Sequence, residues 1–120
     1  MDNVTTIADL QQRAIEFRDR RNWKQFHDLK NLAMGLSIEA AELQELFLWK
    51  NGGEIDALLS SDEGCRKVRH ELADVFVFLL YLGAAAGVDL AAAVIEKIGI
   101  NEEKYPVEKS YNSSRKYDEL

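Results

Sequence analysis

The sequence has little cysteine, fewer basic than acidic side chains and no long apolar run, and each shortage excludes a class of protein. Cys65 is the single cysteine among 120 residues, so the chain forms no internal disulfide and offers no cysteine pair for zinc. The 15 Lys and Arg are outnumbered by 21 Asp and Glu, and a net charge of −6 would repel a nucleic-acid backbone. We therefore expect a protein of the reducing cytoplasm that binds no nucleic acid.

Signals for a membrane are also missing. Residues 1–10 lack the basic start and the apolar core of a signal peptide. The longest apolar run, residues 75–88, is about two-thirds of the length that a membrane-spanning helix needs, and Asp74 borders it. We expect no membrane partner.

What is present is the composition of a globular domain, with 47% apolar and 30% charged residues. No strand pattern and no internal repeat interrupts the chain, so the predicted fold class is all-α, a bundle of four helices forming a single domain over residues 1–120. Periodic apolar residues between polar caps and Gly or Pro stops place the helices at about 6–20, 28–50, 61–87 and 89–105. The caps include a Thr6–Asp9 capping box and an N-cap at Asp28, and Gly87 is the predicted stop of the third helix. Residues 51–61 are predicted mainly as a connection and residues 107–120 as an extended tail.

Two pairs of carboxylates, each three residues apart, lie on helix faces that are otherwise largely apolar. At about 100° per residue, Glu39 and Glu42 share a face of helix two with Trp49, and Glu71 and Asp74 share a stripe of helix three. An ionised carboxylate in an apolar packing surface costs several kcal/mol unless a positive charge compensates it. If the two helices pack through these faces, a hard divalent cation, Mg²⁺ or Mn²⁺, would suit the four oxygen ligands.

The carboxylates allow two other interpretations. Ion pairs with nearby cations such as Arg66, Lys67 and Arg69 would make the cluster purely structural. A di-iron bundle is disfavoured, because neither His27 nor His70 follows a glutamate by three residues. An all-oxygen magnesium site is better suited to phosphate chemistry.

Side chains that could bind a phosphorylated substrate lie elsewhere in the chain. Helix four carries a donor-rich stripe and the tail carries two adjacent cations, although solvated surfaces have the same pattern: Lys97, Asn101, Lys104, Arg115 and Lys116. Trp23 and Trp49 interrupt the apolar pattern and could stack on a base. His27 is interpreted as a hydrogen-bonded structural histidine, and Cys65 has no motif that would make it a nucleophile.

Four stretches together, residues 17–50, 70–83, 88–106 and 113–117, resemble the MazG-like all-α nucleoside triphosphate pyrophosphohydrolases, in particular the dCTP pyrophosphatase branch. The resemblance implies that Glu39, Glu42, Glu71 and Asp74 bind magnesium. It also implies hydrolysis of a (deoxy)nucleoside triphosphate between its α and β phosphates, with Glu39 or Glu42 assisting the attacking water. Such an enzyme would remove dCTP, or a modified relative of dCTP, from the nucleotide pool.

The same resemblance implies roles for the remaining residues. Trp23 and Trp49 would hold the base, Lys97 and Asn101 would contact phosphate and sugar, and the protein would be a homo-oligomer, a dimer or a dimer of dimers. The tail would pack on a neighbouring subunit. A phosphoribosyl-ATP pyrophosphohydrolase is a second enzyme that shares the carboxylates, but it fits the tryptophan pair and the tail less well. The alternative that is not an enzyme is a non-catalytic helical assembly or nucleotide-sensing module.

Two residues depart from the dCTP branch. Phe78, a predicted substrate contact, stands where the vertebrate enzymes have a tyrosine, and Ala14 where they have a histidine that approaches the base. Each change removes a polar contact while leaving the carboxylates intact, so the base preference stays open.

Overall fold

A computed structural model describes residues 1–120 and contains helices and no strands, which confirms the predicted all-α class. Six α-helices follow one another along the chain: α1 Ile7–Arg20, α2 Leu29–Glu45, α3 Gly52–Ser60, α4 Asp62–Ala86, α5 Leu90–Lys104 and α6 Val107–Ser110. Two short 3₁₀ turns, Lys24–Phe26 and Tyr117–Glu119, complete the secondary structure. The stretch predicted as an extended tail therefore begins with one helical turn, α6.

The chain divides into two compact units, Met1–Gly87 with α1 to α4 and Val88–Leu120 with α5 and α6. The prediction of a single domain over residues 1–120 stays a prediction. No single helix is long and apolar enough to cross a membrane, and only α4 and α5 taken together as a bent pair have the necessary length and composition.

Side-chain caps explain where the helices begin. Thr6 accepts a hydrogen bond from the Asp9 amide at 3.0 Å, and Asp9 in turn accepts from the Thr6 amide at 2.9 Å, which is the predicted capping box of α1. A second capping box, between Asn51 and Glu54, starts α3. Because the Asn51–Glu54 box satisfies amides at the first turn of α3, residues 51–61, which were predicted mainly as a connection, form a helix instead.

Helix α2 ends at Glu45, five residues before the predicted stop at Lys50. The next residues form tight turns, in which the amides of Phe47 and Leu48 donate to carbonyls three residues earlier, at 3.0 and 3.3 Å. Trp49 then adopts a left-handed conformation with φ of 61°. The prediction that Trp49 shares a helical face with Glu39 is therefore wrong, because the α-helix has already ended.

Helix α4 is the central element of the first unit and packs against α1, α2 and α3. Its Leu80 and Tyr81, together with Leu32 of α2, are the buried apolar residues of the chain. Two long-range hydrogen bonds fix α1 on α4: Gln11 donates to the Leu80 carbonyl at 2.9 Å, and the Tyr81 hydroxyl donates to the Ala14 carbonyl at 2.8 Å. These contacts set the position of the helix faces that carry the candidate site.

The outer surface of α4 differs from the sequence prediction. The apolar run in its second half predicts a helix surrounded by other elements, yet Phe76 and Leu79 remain exposed in the single chain. The first unit has too few helices to cover a rod that is apolar on nearly every side.

Candidate active site

Three carboxylates from two helices meet in the first unit. Glu39 and Glu42 of α2 and Glu71 of α4 each place one oxygen within 4.8 Å of the others. The i, i+3 spacing puts the two α2 residues on adjacent turns of one face, and the packing of α4 on α2 brings Glu71 to them. Asp74, one turn beyond Glu71 on α4, lies outside this group of three but is close enough for its charge to act on Glu39.

Ionising all the carboxyl groups of this cluster is unfavourable, because their negative charges repel one another. Burial first, then hydrogen bonding and charge from the Glu42 carboxyl, and then Asp74 and Glu71 together raise the pKa of Glu39 to about 7. The Oε2 atoms of Glu39 and Glu71 are both buried and accept no hydrogen bond. A buried carboxylate oxygen without a donor is costly, so these atoms favour a bound cation.

The surrounding basic side chains do not neutralise the cluster. The chain forms two ion pairs, Arg18 with Asp19 at 2.8 Å and Lys67 with Glu63 at 3.2 Å. Lys67, one of the cations considered as a structural partner for Glu71, is thus paired one turn earlier on the helix. Carboxylate oxygens without cationic partners are the ligands that Mg²⁺ and Mn²⁺ prefer, and the residues present fit such an ion.

An apolar pocket of about 630 Å³ includes one of the four carboxylates, Asp74, in its wall. Asp74 and Phe78 of α4 line it, so the pocket and the metal-ligand candidates share one helix face. Its other principal walls are residues of α1, of the turn that follows α1, and of α4: Ala14, Phe17, Trp23 and Tyr81. A cavity of this size with few polar groups suits a small planar ligand such as a nucleotide base.

The turn after α1 positions Trp23. Asn22 adopts a left-handed conformation with φ of 54°, which reverses the chain so that the Trp23 amide donates to the Arg18 carbonyl at 3.1 Å. The indole then packs edge-on against Phe17, with ring centroids 5.8 Å apart. Trp23 is therefore held at the pocket wall, where the sequence prediction had placed a base-stacking residue.

Trp49, the second predicted base contact, does not line this pocket. Its side chain is 91% exposed, and it lies in the turn that follows α2. Nothing within its own chain covers this ring.

The predicted phosphate and sugar contacts belong to the second unit. Lys97, Asn101 and Lys104 lie on α5, and the Lys104 ammonium sits 4.7 Å from the centre of the Tyr117 ring. Arg115 and Lys116 precede the last 3₁₀ turn. The structure thus brings Lys104 to the C-terminal segment, and the substrate role of all five residues stays a prediction.

His27 differs from its sequence interpretation. Its Nδ1 is buried without a hydrogen-bond partner, and its ring packs against Tyr81 with centroids 4.6 Å apart. Burial, and then the charge of Arg18, lower the pKa of His27, which disfavours the protonated ring. The prediction of a hydrogen-bonded histidine is wrong at this nitrogen, because aromatic packing supplies the contact.

Sequence reasoning did not identify Phe17 and Tyr81 as pocket residues. Both lie on periodic apolar stripes, and such a stripe is the normal mark of a core-facing helix. The available signal was the position of Tyr81 on the stripe of Glu71 and Asp74, one turn beyond Phe78.

Known proteins resemble this chain over most of its length. The sequence model of the MazG-like family matches residues 34–120. The dCTP pyrophosphatase 1 of Homo sapiens is 41% identical over 115 residues, which cover 96% of this chain and 68% of the human protein. That of Rattus norvegicus is 38% identical with the same coverage. A crystal structure of a pyrophosphatase from Archaeoglobus fulgidus DSM 4304 is 41% identical, has a TM-score of 0.75 and covers 82% of this chain and 91% of its own.

Proposed function

The chain belongs to the MazG-like family, and on that premise we propose that it is a magnesium-dependent enzyme that hydrolyses a nucleoside triphosphate between the α and β phosphates. The family match and the relatives confirm two sequence predictions, the MazG-like resemblance and an enzyme of the pyrophosphohydrolase class. The position of the cleaved bond, the metal and the substrate base belong to the proposal.

One observation carries the proposal. Oxygens of Glu39, Glu42 and Glu71 converge within 4.8 Å, and Asp74, whose charge acts on Glu39, lines a pocket together with Trp23 and Phe78. The cluster suits a cation that also contacts phosphates, and the pocket suits a base, so the two halves of the site match the two halves of a nucleotide.

In this proposal Glu39, Glu42, Glu71 and Asp74 hold Mg²⁺, for which Mn²⁺ can substitute. The ion, when bound, would neutralise charge on the phosphates and lower the pKa of a coordinated water. Glu39 or Glu42 would take the proton of the attacking water, since both are carboxylates of the cluster. The products would be a nucleoside monophosphate and pyrophosphate.

The substrate would be dCTP or a related deoxynucleotide, because the human and rat relatives are named dCTP pyrophosphatase 1. Trp23 and Phe78 would pack on the base, and Phe78 offers no hydroxyl with which to discriminate among bases. Trp49, Lys97, Asn101, Lys104, Arg115 and Lys116 would complete the substrate contacts in the assembled enzyme. An enzyme that removes nucleotides from the cytoplasmic pool would itself be cytoplasmic, and this location of the protein stays a prediction.

The active form would be a homo-oligomer, a dimer or a dimer of dimers. Exposed apolar side chains support this proposal: Val94, Ile95 and Ile98 of α5 are 53%, 73% and 53% exposed, and Leu72 of α4 is 53% exposed. A concentration of such residues typically marks a protein interface.

A substrate panel with Mg²⁺ tests the function. Purified protein is incubated with each common dNTP and NTP and with 5-substituted dCTP analogues, and pyrophosphate, orthophosphate and monophosphate are measured separately. We expect pyrophosphate and monophosphate in equal amounts. Orthophosphate instead would place the cleaved bond elsewhere, and no hydrolysis would favour the sensing module.

A further inference from the structure

We propose that Gly35 is a positioning residue for the base pocket. Because glycine has no side chain, the Phe78 ring can pack directly against α2, and the position of this ring determines which bases the pocket accepts. This inference rests on the proposed function, since it assigns a base to the pocket. It concerns a residue that lies outside the carboxylate cluster.

Gly35 lies in the middle of α2, where glycine is a poor choice for stability. Glycine loses more backbone freedom than alanine on helix formation. Gly35 has no positive φ angle, so the backbone conformation does not require glycine at this position. Its presence in the helix interior points to a close approach by another group.

The approaching group is the ring of Phe78. A β-carbon built on Gly35 would lie 2.6 Å from Cζ and 3.0 Å from Cδ1 of Phe78, and closer still to Cε1. Carbon atoms in contact normally lie about 3.5–4.0 Å apart, so alanine at position 35 and the present ring position are incompatible.

The Phe78 ring is bounded by Tyr81 and by the apolar pocket. The Phe78 and Tyr81 rings pack in a T-shaped arrangement, with centroids 6.4 Å apart and planes at 84°. Tyr81 is buried and is fixed to α1 by the 2.8 Å hydrogen bond to the Ala14 carbonyl. Because Phe78 also lines the apolar pocket, a ring displaced from α2 would turn into that cavity.

A displaced ring would narrow the space for a base and leave the carboxylates in place. The KM of the substrate should therefore rise while kcat changes little, because the phosphate chemistry depends on other residues. A methylene-sized change in an apolar pocket commonly alters discrimination by about tenfold or more, and we expect a rise in KM of roughly that size.

Three variants test this inference: Gly35→Ala, Phe78→Leu and the double variant. We expect Gly35→Ala to raise the KM for dCTP by about tenfold with kcat within about twofold of wild type. In the double variant, the KM should equal that of Phe78→Leu alone, because leucine vacates the space that the new methyl group needs. Additive effects, or an unchanged KM in Gly35→Ala, would overturn the proposal.

Gly99 provides a matched control. It also lies inside a helix, α5, but a β-carbon there would meet nothing within 4 Å. Gly99→Ala should leave the KM unchanged, so a tenfold rise in that variant would show that the readout is not specific to Phe78.

Urea unfolding of the same variants separates this inference from the proposed function. Gly35→Ala should lower the denaturation midpoint, and Phe78→Leu should restore most of that loss in the double variant. If wild type hydrolyses no nucleotide, the proposed function and the role of Gly35 in base selection both fail. The unfolding measurements still test whether the Phe78 ring packs against α2 at Gly35. If Gly35→Ala alone does not fold and the double variant does, this packing is supported.

Discussion

Glu39 on α2 and Glu71 on α4 each bury an Oε2 atom that accepts no hydrogen bond, although their carboxyl groups belong to the same cluster. Two helices therefore meet through groups that repel each other when ionised. The packing is stabilised either by a proton on one carboxyl or by a cation shared between them. Both possibilities lead to measurable behaviour.

The stability of the metal-free protein should fall as pH rises through the range in which Glu39 ionises. Burial and the neighbouring carboxyls raise the pKa of Glu39 from the ordinary 4.5 to about 7. Between these values the folded chain binds more protons than the unfolded chain, so the free energy of unfolding decreases with increasing pH. Urea unfolding with a chelator present measures this slope.

Glu39→Gln is the control for that slope, because glutamine does not titrate. His27 contributes a slope of the opposite sign, since its lowered pKa favours the folded state as pH rises. The difference between wild type and Glu39→Gln removes the contribution of His27. Identical slopes for the two proteins would contradict a raised pKa at Glu39.

Mg²⁺ should stabilise the wild-type fold at neutral pH. A cation that binds the native state alone raises the melting temperature in proportion to the logarithm of its concentration above Kd. Glu71→Gln should lose most of this shift because it removes a ligand charge from the cluster. Glu63→Gln, on the same helix and paired with Lys67, is the matched control and should keep the shift. Equal shifts in both variants would place the ion elsewhere.

Tyr81→Phe should destabilise the first unit by about 1 kcal/mol, the usual net contribution of one hydrogen bond. The substitution keeps the ring that packs on His27 and removes the bond to the Ala14 carbonyl. The control is Tyr111→Phe, at a tyrosine that is 79% exposed and makes no side-chain hydrogen bond. A loss no larger than that of the control would mean that this bond does not hold α1 on α4.

Ile98→Asp should shift the protein towards smaller assemblies. Ile98 is 53% exposed in the single chain, and a buried unpaired charge would oppose association through that face. Asn3→Asp adds the same charge at an exposed polar position outside α5 and the tail, and should leave the assembly unchanged. Analytical ultracentrifugation measures both. A wild-type protein that sediments as a monomer at all concentrations would contradict the proposed oligomer.

The sequence predicted those features that depend on local chemistry. The capping box at Thr6, the N-cap at Asp28 and the stop at Gly87 follow from side chains next to the helix ends, and the structure contains all three. The early end of α2 escaped prediction because residues 46–50 keep an apolar helical pattern. Their turns carry no Gly or Pro before residue 52 that would have indicated them.

The candidate site was predictable in its charges and less so in its walls. Paired carboxylates at helical spacing indicate a shared face before any packing is known, and α2 and α4 do bring three of them together. The pocket depends on tertiary contacts between distant residues, such as Gly35 with Phe78 and Ala14 with Tyr81. A single sequence gives no signal for such pairs, because glycine and tyrosine occur in helices for many reasons.

Pyrophosphate release from dCTP by carboxylate variants in Mg²⁺ tests the central claim most directly. Glu42→Gln and Asp74→Asn keep the side-chain shape and remove one charge each, so both should fold normally and lose at least about a hundredfold in turnover. Glu45→Gln removes the same charge one turn further along α2, outside the cluster, and should retain activity. Wild-type turnover by Glu42→Gln would contradict the claim that these carboxylates hold the ion on which hydrolysis depends.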